Sequence, residues 1–129
     1  MKWYIDSDRP IYKQLVEQIE LRIISGFYAP GDKLESVREL AMDAGVNPNT
    51  MQKSLAELER MGLVFAQRTS GRFITEDLKV IEEAKKTIAV QEIGAFLEKM
   101  KKLGLDKPEI LALMEKVAEG ENQNDDTKR

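Results

Sequence analysis

The sequence contains neither cysteine nor histidine among its 129 residues. Without cysteine there is no disulfide framework and no thiolate metal site, and without histidine a transition-metal centre would need carboxylates alone. The same absences remove the common catalytic nucleophile and general base. The chain also has no Walker-type glycine loop and no carboxylate pair in a persuasive catalytic setting. We therefore expect no metal, no cofactor and no enzymatic activity.

Long apolar runs are also missing. No run is long enough to span a bilayer, and residues 2–6 do not form a signal peptide. Hydrophobic residues make up 42% and charged residues 33% of the chain, which is typical of a soluble, helix-rich protein. These features predict a cytoplasmic protein without a membrane partner.

The chain lacks the excess of positive charge that is common among nucleic-acid-binding proteins. Lysine and arginine number 20 against 23 aspartates and glutamates, which gives a net charge of −3. Neither part of the chain on either side of residue 76 is basic. Because salt screens each charge beyond about 8–10 Å, DNA binding would depend on the arrangement of cations on one face. We predict weak non-specific affinity that falls steeply with salt.

Two short amphipathic segments, 37–44 and 48–61, are joined by a tight turn near the centre of the sequence. Gly45 can adopt the left-handed conformation that closes a helix. Asn47 can cap the next helix, and Pro48 suits its first position. The pattern predicts a helix-turn-helix.

Two further signals frame this pair of helices. Ser36 stands three residues before Glu39, the spacing of a capping box, and marks the start of the first helix. Upstream, another helix is predicted from Pro10 to about residues 25–26, with apolar residues at every fourth position: Ile11, Leu15, Ile19 and Ile23. We expect this helix to pack across the other two.

The helix predicted for residues 48–61 has a polar side without a carboxylate. At about 100° per residue, Met51, Leu55 and Leu58 form one apolar stripe. The opposite side presents Asn49, Gln52, Lys53, Ala56 and Arg60. Amides can bond adenine edges, and cations can reach guanine or phosphate, so this side suits a DNA major groove. On an isolated helix the same residues would be ordinary surface residues.

A hairpin is predicted after this helix, with strands at 63–68 and 72–75. Arg68 and Arg72 stand at its shoulders, and a glycine lies at its tip. These residues suggest a wing that lies along the DNA backbone or in a minor groove. Residues 33–34 are expected to add a short third strand, in which the lysine is either a phosphate contact or an ordinary solvated side chain.

Six motifs in register resemble the GntR family of bacterial transcription regulators. They are Pro30-Gly31-Asp32-Lys33-Leu34, Ser36-Val37-Arg38-Glu39-Leu40-Ala41, Gly45-Val46-Asn47-Pro48-Asn49-Thr50, Leu58-Glu59, Gly62-Leu63 and Gly71-Arg72-Phe73-Ile74. With Pro10-Ile11-Tyr12, the resemblance extends over residues 9–76, and the short C-terminal region is similar to the YtrA-like branch. The resemblance implies a winged helix-turn-helix that regulates transcription.

The resemblance also implies DNA contacts at matching positions of this chain. They are Arg38, Asn47, Asn49, Thr50, Gln52, Lys53, Ser70 and Gly71. We add four neighbouring candidates, which are Lys33, Ser36, Arg68 and Arg72. Asn47 also has a complete structural role as a helix cap.

Two residues depart from the family's pattern on the surface expected to face DNA. Glu35 stands where proline is usual and places a negative charge near the expected phosphates. Thr69 stands where the wing usually has its first glycine, so a less bent tip is expected. Together with the acidic net charge, Glu35 favours an alternative function, a winged-helix protein-interaction module that does not bind DNA.

The pattern changes to long helices after residue 76, with a break at 104–108 and a helix end near Gly120. A helix pair of this size cannot enclose much core, so its apolar stripe is expected to pair with a second copy. The residues of that stripe are Ile81, Ala84, Ile88, Ile93, Phe96, Leu97, Met100, Leu103, Ile110 and Met114. The alternative is that the stripe folds back onto its own DNA-binding domain.

The expected architecture is mainly α with a small β-hairpin. A winged helix-turn-helix at 1–76 precedes a two-helix dimerisation region at 77–120 and a disordered polar tail at 121–129. A two-fold homodimer would place two recognition helices about 34 Å apart on a palindromic operator in double-stranded DNA. The predicted function is a sequence-specific repressor. An unidentified small-molecule effector would have to bind at the dimer interface or between the domains.

Overall fold

A computed structural model of the chain describes the backbone of residues 2–127 and the side chains of residues 2–120. Within this range, five helices and one hairpin follow in the order α1 Ile11–Ile24, α2 Val37–Ala44, α3 Pro48–Arg60, β1 Val64–Gln67, β2 Gly71–Ile74, α4 Leu78–Lys102 and α5 Lys107–Thr127. The predicted mainly helical fold with a small hairpin is confirmed. Among these helices, none is long and apolar enough to cross a membrane.

The structure divides the chain into two compact units, Met1–Lys86 and Thr87–Arg129, with the division inside α4. The sequence predicted an earlier boundary, after residue 76. The difference arises because the beginning of α4 packs against the first unit. Ile81 is 7% exposed and belongs to the core of that unit, and Ala84 is partly buried against the same core. Ile81, which the sequence placed in the dimer interface, is thus covered by its own chain.

The core of the first unit lies between α1, α3 and the base of the hairpin. The predicted stripe of α3 is confirmed, because Met51, Leu55 and Leu58 are fully buried. Where α1 crosses α3, the buried Ser54 Oγ lies 3.1 Å from the Tyr12 carbonyl oxygen. The other buried apolar residues are Leu15, Ile19, Ile23, Tyr28, Leu34, Leu40, Ala41, Leu63, Val64, Ile74 and Ile81.

The signals that were predicted to start and end α2 and α3 are all present. The Glu39 N–H donates to Ser36 Oγ at 3.1 Å and the Ser36 N–H donates to Glu39 Oε1 at 3.2 Å, which completes the capping box. Gly45 ends α2 with φ +71°. Asn47 Oδ1 then caps α3 by accepting a hydrogen bond from the Asn49 N–H at 2.7 Å. The helix-turn-helix is thus fixed by contacts within a few residues.

The hairpin is antiparallel and pairs Val64 with Ile74 at its base. The first strand is shorter than the predicted 63–68, because residues 68–70 form the turn, and the second has the predicted length but begins and ends one residue earlier. The predicted third strand is reduced to an isolated bridge between Lys33 and Phe73. This bridge places the segment before α2 directly beside the wing.

The N-terminal segment is held to α1 by two glutamine side chains. Gln14 Oε1 accepts from the Asp6 N–H at 2.7 Å, and its Nε2 donates to the carbonyls of Asp6 at 2.6 Å and Arg9 at 3.0 Å. Gln18 makes the equivalent pair with the backbone of Tyr4, at 3.0 and 2.5 Å. Residues four apart on a helix are about 6 Å apart along its axis, and residues two apart on an extended chain about 6.6 Å. The two amides therefore meet the segment in register.

The second unit begins within α4 and turns at Gly104, which has φ +89°. The predicted cap at Asp106 is present, since its Oδ1 accepts from the Glu109 N–H at 3.0 Å and the Asp106 N–H donates to Glu109 Oε1 at 3.1 Å. The helix was expected to end near Gly120, before a disordered tail at 121–129, but α5 continues to Thr127. Gly120 lies within this helix and does not adopt a positive φ. Residues 128–129 lie outside the described residues.

Most of the apolar residues predicted for a dimer interface in the second unit are exposed or half-buried. Ile93, Phe96, Leu103 and Met114 are exposed, and Val90, Leu111, Leu113 and Val117 add to the exposed apolar side chains. Ile88, Leu97 and Met100 are partly buried. Ile110 is the exception, because it is buried within its own chain, where it lines an apolar cavity of about 330 Å³. Ile110 therefore differs from the other residues that the sequence predicted for the dimer interface, because its own chain covers it.

Candidate nucleic-acid interface

The side of α3 opposite its buried stripe is exposed and carries amides and a cation. Asn49, Gln52 and Lys53 are exposed, and Thr50 is partly exposed. The exposed Ala56, one turn further along, is small enough to permit a close approach to this side. Amides and a cation at the N-terminal end of a helix are suited to reading base edges in a major groove.

Lys53 does not extend freely from this side of α3. Its Nζ lies 3.9 Å from the centroid of the Tyr12 ring on α1, a cation–π contact. The two residues share a groove of about 410 Å³ with Asn49 and Thr50. The sequence indicated both residues separately but not the contact, which depends on the crossing of α1 and α3.

A second groove, of about 480 Å³, lies between the wing and the beginning of α2. It is lined by predicted site residues on both sides, among them Lys33, Ser36, Ser70, Gly71 and Arg72. Gly71 has φ +100°, and a Cβ at this position would lie 3.3 Å from Lys33 Cε. The backbone angle therefore favours glycine here, and the lysine side chain lies close against it.

The two carboxylates near the start of α2 are both engaged. Glu35 Oε2 accepts a hydrogen bond from the Tyr28 hydroxyl at 2.9 Å. Burial raises the pKa of Tyr28 to about 12, so this hydroxyl remains a donor. Hydrogen bonds from the backbone N–H and the hydroxyl of Ser36 lower the pKa of Glu39. The departure at Glu35 thus has a structural partner in the first unit.

A cluster of side chains that joins the N-terminal segment to α1 and α2 includes Arg22 and Asp43, which the sequence did not single out. The buried Arg22 places its guanidinium carbon 3.9 Å from the Trp3 ring centroid and 5.5 Å from that of Phe27. Trp3 in turn donates from Nε1 to Asp43 Oδ2 at 2.8 Å. These contacts join the N-terminal segment, α1 and α2. No short sequence motif indicates these contacts.

The carboxylates that flank the exposed side of α3 are paired with cations. Glu57 accepts from Arg60 on the same helix. Glu59 Oε1 accepts from Arg72 Nε at 2.6 Å, so Arg72 of the wing is bound to α3. These pairs offset the negative charge next to the candidate DNA-binding surface.

Eight of the twelve predicted site residues line one of the two grooves, and the other four are exposed elsewhere on the first unit. Asn49, Thr50 and Lys53 line the first groove; Lys33, Ser36, Ser70, Gly71 and Arg72 line the second. Arg38, Asn47, Gln52 and Arg68 line neither groove but are exposed. Within residues 2–120, no group of three acidic side chains is placed to hold a metal ion.

A helix-turn-helix followed by a hairpin wing, with an exposed amide-bearing second helix, defines the winged helix-turn-helix class of DNA-binding proteins. Residues 11–74 match the family model described as bacterial regulatory proteins, gntR family. The chain belongs to this GntR family of transcription regulators.

Two relatives from Bacillus subtilis (strain 168) extend the match beyond the DNA-binding unit. The uncharacterized HTH-type transcriptional regulator YhcF is 41% identical over 114 residues, covering 88% of this chain and 94% of YhcF. The HTH-type transcriptional repressor YtrA is 39% identical over 100 residues, covering 78% of this chain and 72% of YtrA. The resemblance to the small YtrA-like branch is confirmed.

A solved structure shows the same arrangement of elements. The GntR family transcriptional regulator from Listeria monocytogenes superposes with a TM-score of 0.81 at 44% identity, covering 87% of this chain and 98% of that one. The similarity therefore includes the C-terminal helices as well as the winged helix-turn-helix.

Proposed function

We propose that this regulator represses transcription by binding a palindromic operator as a homodimer, with α3 of each protomer in the major groove. The observation that carries the proposal is the exposed side of α3, where Asn49, Gln52 and Lys53 stand without a carboxylate among them. Glu57 and Glu59, on its flanks, are paired with Arg60 and Arg72. An acidic protein can in this way present a locally favourable surface to DNA, because screening limits distant charges.

The second unit supports the homodimer. Its exposed apolar side chains on α4 and α5 include Ile93, Phe96, Leu103 and Met114. Large apolar residues gathered on such a small unit are typical of a protein–protein interface, and a second copy is the simplest partner for them. Two-fold pairing would present two α3 helices to successive turns of DNA.

Repression is the mode of action that the relatives favour, since YtrA is named as a repressor. A dimer that occupies its operator would block polymerase without any catalytic step. We accordingly propose that the protein acts in the cytoplasm, has no enzymatic activity, and responds to a small-molecule effector through its second unit, where the apolar cavity beside Leu97 and Ile110 lies.

Selection of bound fragments from random duplex DNA by the purified protein tests the proposal. The expected result is an inverted repeat whose half-sites are centred about 10–10.5 base pairs apart, or a multiple of that distance. Sedimentation of the complex should give two chains per duplex. Enrichment of no sequence would overturn the operator-binding function, and a single unrepeated half-site bound by one chain would overturn the homodimer.

Asn49→Ala together with Lys53→Ala tests which surface reads the DNA. We expect this double variant to lose the selected operator while it remains a dimer. Loss of a well-formed bidentate base contact weakens binding by about 1–3 kcal/mol. Retained operator affinity would contradict the assignment of α3. Protein partners without sequence-selective DNA binding would instead support the interaction-module alternative.

A further inference from the structure

The inner side of the wing carries a cation that points towards α3. Strand residues alternate between the two sides of a hairpin, so Arg72 lies on the same side as Ile74, two positions later. Ile74 is fully buried in the core between the hairpin and α3. Arg72 is therefore on the inner side, and its side chain is only 20% exposed.

The contact that Arg72 makes there is an ion pair with α3. Its Nε donates to Glu59 Oε1 at 2.6 Å, and the Glu59 side chain is 32% exposed. The backbone of Arg72 is also held, because the Leu34 N–H donates to its carbonyl at 2.9 Å. Both the main chain and the side chain of Arg72 are thus bound next to Gly71, where the wing tip begins.

The tip half of the hairpin has little else on its inner side. The residue paired with Arg72 across the hairpin is Ala66, which is exposed and small. On the outer side, Phe65 and Phe73 stack with centroids 5.8 Å apart, but they join the two strands to each other rather than to α3. A two-stranded hairpin is only marginally stable by itself, so its orientation depends on such anchors.

We propose that the Arg72–Glu59 ion pair sets the angle of the wing relative to the recognition helix, and that Arg72 is a positioning residue rather than a DNA contact. This inference rests on the proposed operator binding. The pair holds the tip residues Ser70 and Gly71 in register with the exposed side of α3, so that helix and wing meet DNA together. Without it, the wing would have to be ordered at the moment of binding.

Glu59→Gln provides the sharpest test, because a positioning role and electrostatics alone predict opposite changes in operator affinity. The variant removes a negative charge next to DNA, so electrostatics alone would strengthen operator binding. We expect it to weaken binding about fivefold to tenfold, the size of coupling that residues in direct contact commonly show. Glu57→Gln is the matched control. It removes the same charge from the same helix, but its partner Arg60 also lies on α3, so binding should not weaken.

Two further variants separate positioning from contact. Arg72→Gln should weaken binding at least as much as Glu59→Gln, because it removes a positive rather than a negative charge near DNA. The slope of log affinity against log salt should stay unchanged, whereas a lost phosphate contact would make that slope less steep by about 0.9. The exchanged pair, Glu59→Arg with Arg72→Glu, keeps the net charge and should recover most of the affinity. A less steep salt dependence for Arg72→Gln, or tighter binding by Glu59→Gln, would overturn the positioning role.

Hydrogen exchange of the protein without DNA keeps this inference distinct from the proposed function. We expect the amides of the wing to exchange faster in Glu59→Gln than in the wild type and in Glu57→Gln, with thermal unfolding confirming that each variant is folded. Unchanged wing exchange would overturn the anchor even if operator binding is established. Failure of the wild type to select any DNA would overturn the proposed function. The hydrogen-exchange result would still decide whether the ion pair anchors the wing, because it is measured without DNA.

Discussion

Trp3 and Asp43 are joined by a hydrogen bond from the indole Nε1 to Oδ2 at 2.8 Å, across 40 residues of sequence. The bond connects the N-terminal segment to α2, the first helix of the helix-turn-helix. Arg22 of α1 lies over the indole ring, with its guanidinium carbon 3.9 Å from the ring centroid. Trp3 therefore helps to fix the angle between α1 and α2.

Trp3→Phe should lower the free energy of unfolding by about 1–2 kcal/mol, because it removes the donor to Asp43 and weakens the cation–π contact with Arg22. Trp3 is the one tryptophan of the chain, so unfolding in urea must be followed by circular dichroism rather than fluorescence. Tyr4→Phe is the control. Tyr4 is 74% exposed, and its substitution should change stability by less than about 0.5 kcal/mol. Equal stability of both variants would contradict a structural role for Trp3.

Local signals were sufficient to predict the helix-turn-helix, whereas contacts between distant segments were not predictable. The roles of Ser36, Gly45 and Asn47 depend on backbone groups within a few residues, so their spacing alone identified them. Trp3 reaches Asp43 only after α1 and α2 have packed, and nothing near either residue indicates the other.

The direction of wing and helix side chains was the second kind of information missing from the sequence. In Arg72-Phe73-Ile74 both strand faces carry an apolar residue, so alternation alone does not say which face is inward. Arg72 was predicted at a shoulder of the wing, but its ion pair with Glu59 was not. Likewise, Ile81 shares a helical stripe with residues of the second unit, and only the packing assigns it to the core of the first.

Glu39 predicts a specific pH dependence of stability. Hydrogen bonds from Ser36 lower its pKa below the ordinary value of 4.5 in the folded protein. A carboxyl whose pKa is lowered on folding contributes stability that is fully present above the unfolded-state value and is lost as pH falls through the folded-state value. Wild-type stability should therefore fall more steeply on acidification below pH 4.5 than that of Glu39→Gln, in which this group does not titrate.

Thermal unfolding across this acidic range, together with an NMR titration of the Glu39 carboxyl, checks the expectation. Ser36→Ala should shift the midpoint of that titration back towards the ordinary value, because it removes the hydroxyl donor but keeps the backbone N–H. Parallel pH profiles for the wild type and Glu39→Gln would show that the capping box does not couple to protonation.

Phe96→Glu should convert the proposed dimer into a monomer. Phe96 lies among exposed apolar residues of the second unit and is itself 38% exposed, so a charge there should spare the fold of the single chain but oppose burial against a partner. Analytical ultracentrifugation should show the wild type as a dimer and the variant as a monomer. The operator affinity of the monomeric variant should also fall, because each monomer would bind only one half-site.

Leu78→Glu is the matched control for this experiment. Leu78 is also an exposed apolar residue of α4, at 63%, but it lies at the beginning of the helix, in the first unit. We expect this variant to remain dimeric and to bind the operator. A monomeric Leu78→Glu, or a dimeric Phe96→Glu, would contradict the placement of the interface on the C-terminal half of α4.

Asn47 and Asn49 stand two residues apart at the start of α3, and their alanine variants should separate stability from recognition. Asn47 Oδ1 accepts the Asn49 N–H at 2.7 Å, so Asn47→Ala removes a helix cap and should cost about 1 kcal/mol of unfolding free energy. The Asn49 side chain makes no such cap and is exposed. Asn49→Ala should leave stability within about 0.5 kcal/mol of the wild type and weaken operator binding by about 1–3 kcal/mol.

Urea unfolding and operator titration of both variants, measured in the same buffer, give a two-by-two comparison. If Asn49 reads a base, its alanine variant should also relax selectivity at one position of each half-site, because the lost contact no longer discriminates between bases. A uniform loss across all operator sequences would instead assign Asn49 to a phosphate. Stable protein with unchanged operator affinity in Asn49→Ala would remove this residue from the interface altogether, and would shift the reading of bases to Gln52 and Lys53 on the next turn of α3.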